Sequence, residues 1–172
     1  MKQDPLRQFS GVGFGGAPMA QWWSDLFLWE VVLNGSPQVK GIVELGTWQG
    51  GFSWFLWAQA QARGLEFRTY DVVTPDAPPP NFERIDIYRH AKELGETFAA
   101  MGPVVLFCDG GNKPRELRTF PPYLAEGSVV LAHDWGTETT AGDVPDFLEE
   151  HLGDYCDELG SISRVFTIKG KP

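Results

Sequence analysis

The sequence runs to 172 residues and carries 14 Lys and Arg against 23 Asp and Glu, a formal net charge of −9. That length suits one domain spanning residues 1–172, with a full core and no room for a second. The acidic balance leaves nothing to neutralise phosphates in bulk, so no nucleic-acid partner is expected.

Residues 1–18 read as a flexible lead-in to the domain. Gly11 to Gly16 matches the GxGxxG spacing of a dinucleotide fingerprint by letter, but no strand precedes it, and that motif requires one. Met19 to Leu33 then has helical length and apolar residues on most faces, as expected of a helix covered by a sheet or by a second copy in a homodimer. Gln21, Ser24, Asp25 and Glu30 interrupt it, so it is too polar and too short to span a membrane. Asn34-Gly35-Ser36-Pro37 ends it.

Gly41 to Ser53 opens with apolar, β-branched residues, turns on Gly46, Gly50 and Gly51, and runs into the aromatic segment Trp54 to Ala62. This reads as strand, tight loop and helix, the first crossover of a parallel sheet and a plausible ligand cradle. No Lys-Ser or Lys-Thr pair follows the glycines, so it is not a P-loop. Glu44 at the strand tip disfavours a pyrophosphate and suits an ammonium or a sulfonium.

Glu66 to Asp71 reads as the second strand, and an acid ending it, about twenty residues past the glycine loop, is placed to accept hydrogen bonds from ribose hydroxyls. Arg84 to Tyr88 is expected as a third strand, before a helix over Ala91 to Ala100. Pro103 to Cys108 is a continuous apolar run that delivers Asp109 to the carboxyl end of a central strand. Ser128 to Ala132 repeats that design and ends in His133 and Asp134. Two carboxylates at neighbouring strand tips are a recurrent way to hold Mg²⁺. Val144 to His151 is expected as a helix, and Ser163 to Lys169 as an edge or antiparallel strand. The alternation of strands and helices gives the fold class: α/β, doubly wound and mostly parallel in three αβα layers, with an antiparallel C-terminal strand. Cys108 and Cys156, in a chain with no signal-like start, are expected as reduced thiols in the cytoplasm.

The run Glu44-Leu45-Gly46-Thr47-Trp48-Gln49-Gly50-Gly51 resembles the first motif of class I, Rossmann-like S-adenosylmethionine-dependent methyltransferases. More narrowly, it is similar to the branch holding the rhamnosyl O-methyltransferases and cephalosporin-hydroxylase-like proteins. Phe14 to Leu26 resembles the lead-in of that branch, where it borders the substrate opening. The resemblance implies that Glu44, Gly46, Thr47, Trp48, Gly50, Ser53, Asp71 and Asp109 surround S-adenosyl-L-methionine. It implies Asp109 and Asp134 as Mg²⁺ ligands, with Ile87 and Tyr88 beside the adenine. Lys113 and His133 are then the alternative catalytic bases, and Trp22, Trp23, Trp48 and Trp135 wall the acceptor. Asp154 to Leu159 would supply part of the hairpin partner of the last strand.

The chain departs from the pattern where many relatives carry Asp-Gly-x-His, since Asn112 stands in the histidine's place. Trp135 replaces the Asn that follows the fifth-strand acid in catechol-type relatives, and Lys113 lies one residue further from Asp109 than their lysine does. The implied function is O-methylation of a small hydroxyl-bearing acceptor with Mg²⁺ assisting. The same chemistry without metal, and a non-catalytic cofactor-binding or scaffold domain, are the competing readings.

Overall fold

A computed structural model describes residues 12–169. Its elements in chain order are β1 (Val12–Phe14), β2 (Ala17–Met19), α1 (Trp23–Gly35), β3 (Gly41–Leu45), α2 (Gly51–Arg63), β4 (Glu66–Asp71) and β5 (Phe82–Arg84). There follow α3 (Ala91–Ala100), β6 (Val104–Cys108), α4 (Lys113–Thr119), β7 (Val129–Ala132), β8 (Leu148–His151), α5 (Gly153–Leu159) and β9 (Arg164–Ile168). Seven strands make one sheet in the order β5-β4-β3-β6-β7-β9-β8. β3 to β7 run parallel, and β9 is antiparallel to both of its neighbours. This is the expected doubly wound, mostly parallel Rossmann-like α/β fold with an antiparallel C-terminal strand.

The three layers follow from alternation along the strands. Ile42, Phe67, Val105, Phe107, Val129, Leu131 and Val165 face one way, under α1, α2 and α5. Val43, Tyr70, Leu106, Cys108, Val130 and Phe166 face the other, under α3 and α4. Every residue of β3, β6 and β7 is buried, which is why β6 and β7 read as unbroken apolar runs and β3 as one broken only by Glu44. Cys108 and Cys156 are free and buried. Among the described residues no helix is long and apolar enough to cross a membrane.

Four sequence expectations need correction. Residues 12–19 are an antiparallel hairpin, with Val12 paired to Met19, where a flexible lead-in was expected. The first eleven residues lie outside the described ones. α1 begins at Trp23 rather than Met19 because Met19 belongs to the hairpin and the Asp25 carboxylate accepts the Trp22 N–H at 3.2 Å, closing the helix start. The third strand is Phe82–Arg84, and residues 85–90 turn away from the sheet. At the C-terminal end helix and strand are exchanged: Leu148–His151 is the edge strand and Gly153–Leu159 a helix. The charged, exposed Glu149 to His151 look helical by composition, yet only Leu148 needs burial, and charge on an edge strand deters further pairing.

One glycine is dictated by the sheet. Gly46 leaves β3 with φ +101, and a Cβ there would press on the Asp109 carbonyl and lie 2.8 Å from Gly110 Cα. The bend after β3 is therefore tight because it passes against the end of β6. Gly46→Ala is expected to destabilise the protein by about 3 kcal/mol, combining left-handed strain with overpacking. Urea unfolding measures this, and a loss below ~1 kcal/mol would mean the two strand ends can part.

Candidate active site

β4 and β6 lie on opposite sides of β3, so connections leave this point in opposite directions and open a crevice at the strand carboxyl ends. A cleft of about 470 Å³ occupies it. Glu44, Gly46, Thr47 and Trp48 line it from the end of β3, Asp71 from β4, Asp109 and Gly110 from β6, and His133 and Asp134 from β7. Lys113, Glu138 and Gln21 complete the polar lining, with Met19 and Phe52 on the apolar side. The structure thus brings together the acids that the sequence spreads over ninety residues.

At the β4 end, Asp71 grips the loops on either side of it. Its Oδ2 accepts the Trp48 N–H at 2.9 Å and its Oδ1 the Val73 N–H at 3.0 Å. Trp48 has φ +48 and its ring is exposed. A non-glycine residue in that region is strained, and such strain gathers at ligand clamps. Beyond Trp48 and Asp71 a second cleft of about 560 Å³ continues under the hairpin and the loop 73–77.

Behind this surface Glu44 is buried. Its Oε2 accepts hydrogen bonds from the hydroxyls of Ser53 and Thr69, the latter at 2.6 Å. Thr69 Oγ1 lies 2.6 Å from Thr47 Oγ1. Burial pushes the Glu44 carboxyl up to about 8, against the lowering effect of the two hydroxyls. Two residues expected at the cofactor lie outside the cleft lining. Ser53 is buried against Glu44 and outside the cleft lining, and Gly50 caps α2 with φ +87 without reaching the cleft. Gly51 abuts the Pro18 carbonyl, so the hairpin, rather than a ligand, explains that glycine.

At the other end, His133 Nδ1 lies 2.8 Å from Asp109 Oδ1 and 3.4 Å from Asp134 Oδ2. These are ion-pair distances, although neither ring nitrogen makes a well-directed hydrogen bond. Burial alone would lower the imidazole's pKa, but the two carboxylates outweigh it and raise it to about 10. Through its bond to His133, and then to Lys113, the Asp134 carboxyl is held well below the usual range. Lys113 Nζ is 3.0 Å from Asp134 Oδ2, 3.7 Å from Asp109 Oδ1 and 2.8 Å from Glu138 Oε2. Burial opposes its charge, yet these acids raise its pKa and keep it an ammonium. Expected from the sequence as a candidate base, Lys113 stands in this structure among three acids as their counter-ion. Asp109, His133 and Asp134 also offer ligand atoms within 4.8 Å of one another, close enough to hold a metal ion.

Sequence reasoning missed Glu138 and Gln21. The Asp134 carbonyl accepts N–H groups from Thr137, Glu138 and Thr139, and this turn swings Glu138 back over Lys113. Asp134 itself has φ +53. Gln21 donates to Asp109 Oδ2 at 3.0 Å, and its only signal was being polar in an apolar stretch. Asn112 is not available to a metal, because its side chain accepts the Arg115 N–H and caps α4. Tyr88 is covered by the Arg115 guanidinium, 3.9 Å above its ring, and its hydroxyl donates to Glu116. Trp22, Trp23 and Trp135 do not line the cleft; Trp135 packs against Phe166, leaving Trp48 as the tryptophan at the opening.

No protein-family model and no curated protein matches the sequence. A solved structure of cmcI with SAH superposes at a TM-score of 0.67, with 16% identity, over 92% of this chain and 82% of that one. The chain shares its fold with cmcI. A structure of cmcI with Mg-SAM gives a TM-score of 0.55 at 15% identity, covering 73% of this chain and 58% of that one. The CmcI apo-structure gives 0.55 at 15% identity, covering 87% and 61%. Identity at this level speaks to the fold alone.

The Glu44 network predicts a pH dependence. Folding raises this carboxyl from an ordinary 4.5 to about 8, so the protonated form is favoured in the folded state. The stability this brings is full below the lower value and is lost as pH rises through the upper one. Between pH 5 and pH 9 the wild-type melting temperature is expected to fall by roughly 8–16 °C more than that of Glu44→Gln, equivalent to about 4 kcal/mol in a domain of this size. Parallel melting curves would show Glu44 ionised throughout.

Proposed function

We propose that the chain is an S-adenosylmethionine-dependent methyltransferase that methylates a hydroxyl of a small acceptor, assisted by a divalent cation such as Mg²⁺. The observation that carries this reading is the meeting in one cleft of the Glu44 to Trp48 bend, the β4-tip Asp71 and the paired acids Asp109 and Asp134. It is supported by the fold shared with cmcI, a protein solved with SAH and with Mg-SAM. Five acids line the cleft against Lys113 and His133, a balance that suits a cationic ligand and repels a polyphosphate. The cleft volume, about 470 Å³, lies in the usual range for small-molecule sites.

S-adenosylmethionine brings a methyl group already activated on a positive sulfur, so the chain has to align, exclude water and manage the acceptor's proton. Asp71 is assigned the ribose hydroxyls, and Gly46, Thr47 and Trp48 the cofactor's flank. Glu44 supports that flank from behind through Thr69 and Thr47, with Ser53 holding its other side. Met19 and Phe52 supply the apolar wall that keeps water out. Asp109 and Asp134 would hold a divalent cation, whose contribution is Lewis-acid stabilisation of an alkoxide or phenolate. His133 is assigned the acceptor's proton. Burial lowers its pKa and Asp109 and Asp134 more than offset that, so a cation held by the same carboxylates would weaken their grip on its proton.

Calorimetric titration with S-adenosylmethionine and S-adenosylhomocysteine, with and without Mg²⁺, tests the reading. Wild type is expected to bind both, and Asp71→Ala to bind more weakly by about 1.5–3 kcal/mol, the cost of losing a hydrogen bond to a charged group. Equal affinities would remove Asp71 from the site, and no binding by either protein would overturn the assignment. Formation of S-adenosylhomocysteine with a panel of hydroxyl acceptors separates an enzyme from a domain that only binds.

A further inference from the structure

We infer that Lys113 is the resident cation of the metal site, and that a hard divalent cation enters by displacing its ammonium from Asp109 and Asp134. This rests on the metal-assisted reading above. Nζ lies 2.8 Å from Glu138 Oε2, 3.0 Å from Asp134 Oδ2, 3.1 Å from the Gly110 carbonyl oxygen and 3.7 Å from Asp109 Oδ1. All four neighbours are oxygens, the ligand chemistry that Mg²⁺ or Mn²⁺ also takes. The lysine side chain is only 5% exposed, so the ammonium is enclosed in the cleft wall rather than waving in solvent.

Two further buried groups in the same cleft carry atoms without a directed hydrogen bond. Gln21, 3% exposed, has an Oε1 with no hydrogen bond, and His133, also 3% exposed, has none on either ring nitrogen. Polar atoms removed from water without partners are costly, and both sit beside Asp109. The cluster therefore has most of its charge paired while part of its hydrogen-bonding capacity is unused.

The ammonium and a divalent cation cannot share these carboxylates. Two positive centres a few ångströms apart repel far beyond thermal energy even at protein-like screening. Glu138 provides the exit: its side chain is 60% exposed, so the Lys113 ammonium can keep this partner while swinging outward on its flexible stem. The protein then has a closed state, with Lys113 on Asp109 and Asp134, and a loaded state in which Lys113 and Glu138 pair at the rim.

Mn²⁺ binding to the full chain, followed by the electron paramagnetic resonance of free Mn²⁺, tests this in wild type, Lys113→Gln and Lys113→Arg. Lys113→Gln is expected to bind at least about tenfold more tightly than wild type, because the competing charge is gone. Lys113→Arg, which keeps the charge, is expected to stay within about threefold of wild type. Equal affinities in wild type and Lys113→Gln overturn the inference and leave the metal site standing. No Mn²⁺ binding by any of the three overturns both. Lys113→Gln leaves acids without their cation and can fail to fold, so wild type supplies a second readout. Saturating Mg²⁺ should raise reductive methylation of Lys113 several-fold, measured by mass spectrometry against the exposed Lys92, and unchanged labelling overturns the inference.

Discussion

The register of the parallel strands is the constraint on which the site depends. Leu45 of β3 stands opposite Tyr70 of β4 and Cys108 of β6, and Cys108 stands opposite Ala132 of β7. The next residue of each strand is therefore Gly46, Asp71, Asp109 and His133, in one row along the sheet's carboxyl edge. A slip of one residue in any pairing would also turn that strand's apolar residues toward the wrong helix layer. Core packing and site assembly are thus enforced by the same hydrogen-bonded ladder.

Bringing acids together has an electrostatic consequence that shapes the rest of the cleft. Asp109 and Asp134 approach the same His133 nitrogen, and Lys113 reaches both. Removed from bulk water, these carboxylates need counter-charge, and the fold supplies it from α4 and β7. Glu44 is handled differently. It has two hydroxyl donors and no cation, and burial raises its proton affinity instead. One end of the cleft is stabilised by ion pairing and the other by protonation and hydroxyl bonds. A cationic ligand between them would meet Asp71 at one end and the acids Asp109, Asp134 and Glu138 at the other, with Glu44 carrying its proton.

The glycines of the bend have packing roles that the sequence did not show. Gly46 and Gly51 were expected to bare the backbone to a ligand, yet Gly46 is set by the Asp109 carbonyl and Gly51 by the hairpin carbonyls at Ala17 and Pro18. The bend presents Gly46, Thr47 and Trp48 to the cleft. The hairpin matters here because it brings Met19, Ala20 and Gln21 over the strand tips.

Strand existence, the parallel core and the acids at strand ends were legible in the sequence. Continuous apolar runs such as Val104 to Cys108 arise only where both sheet faces are covered, and an acid just past such a run must emerge at the sheet's rim. Local pattern failed where a segment has one buried face or none. Leu148 to His151 and Gly153 to Leu159 exchanged helix and strand, because short, charged segments take their form from the edge they pack on. The charge state of Lys113, the capping role of Asn112 and the return of Glu138 depend on distances between residues remote in sequence. The sequence by itself determined that the acids just past the parallel strands, Asp71, Asp109 and Asp134, reach the cleft, since that follows from where the apolar runs end. Only the tertiary structure decided which of them neutralise one another, because Coulomb interactions and burial depend on separation in space.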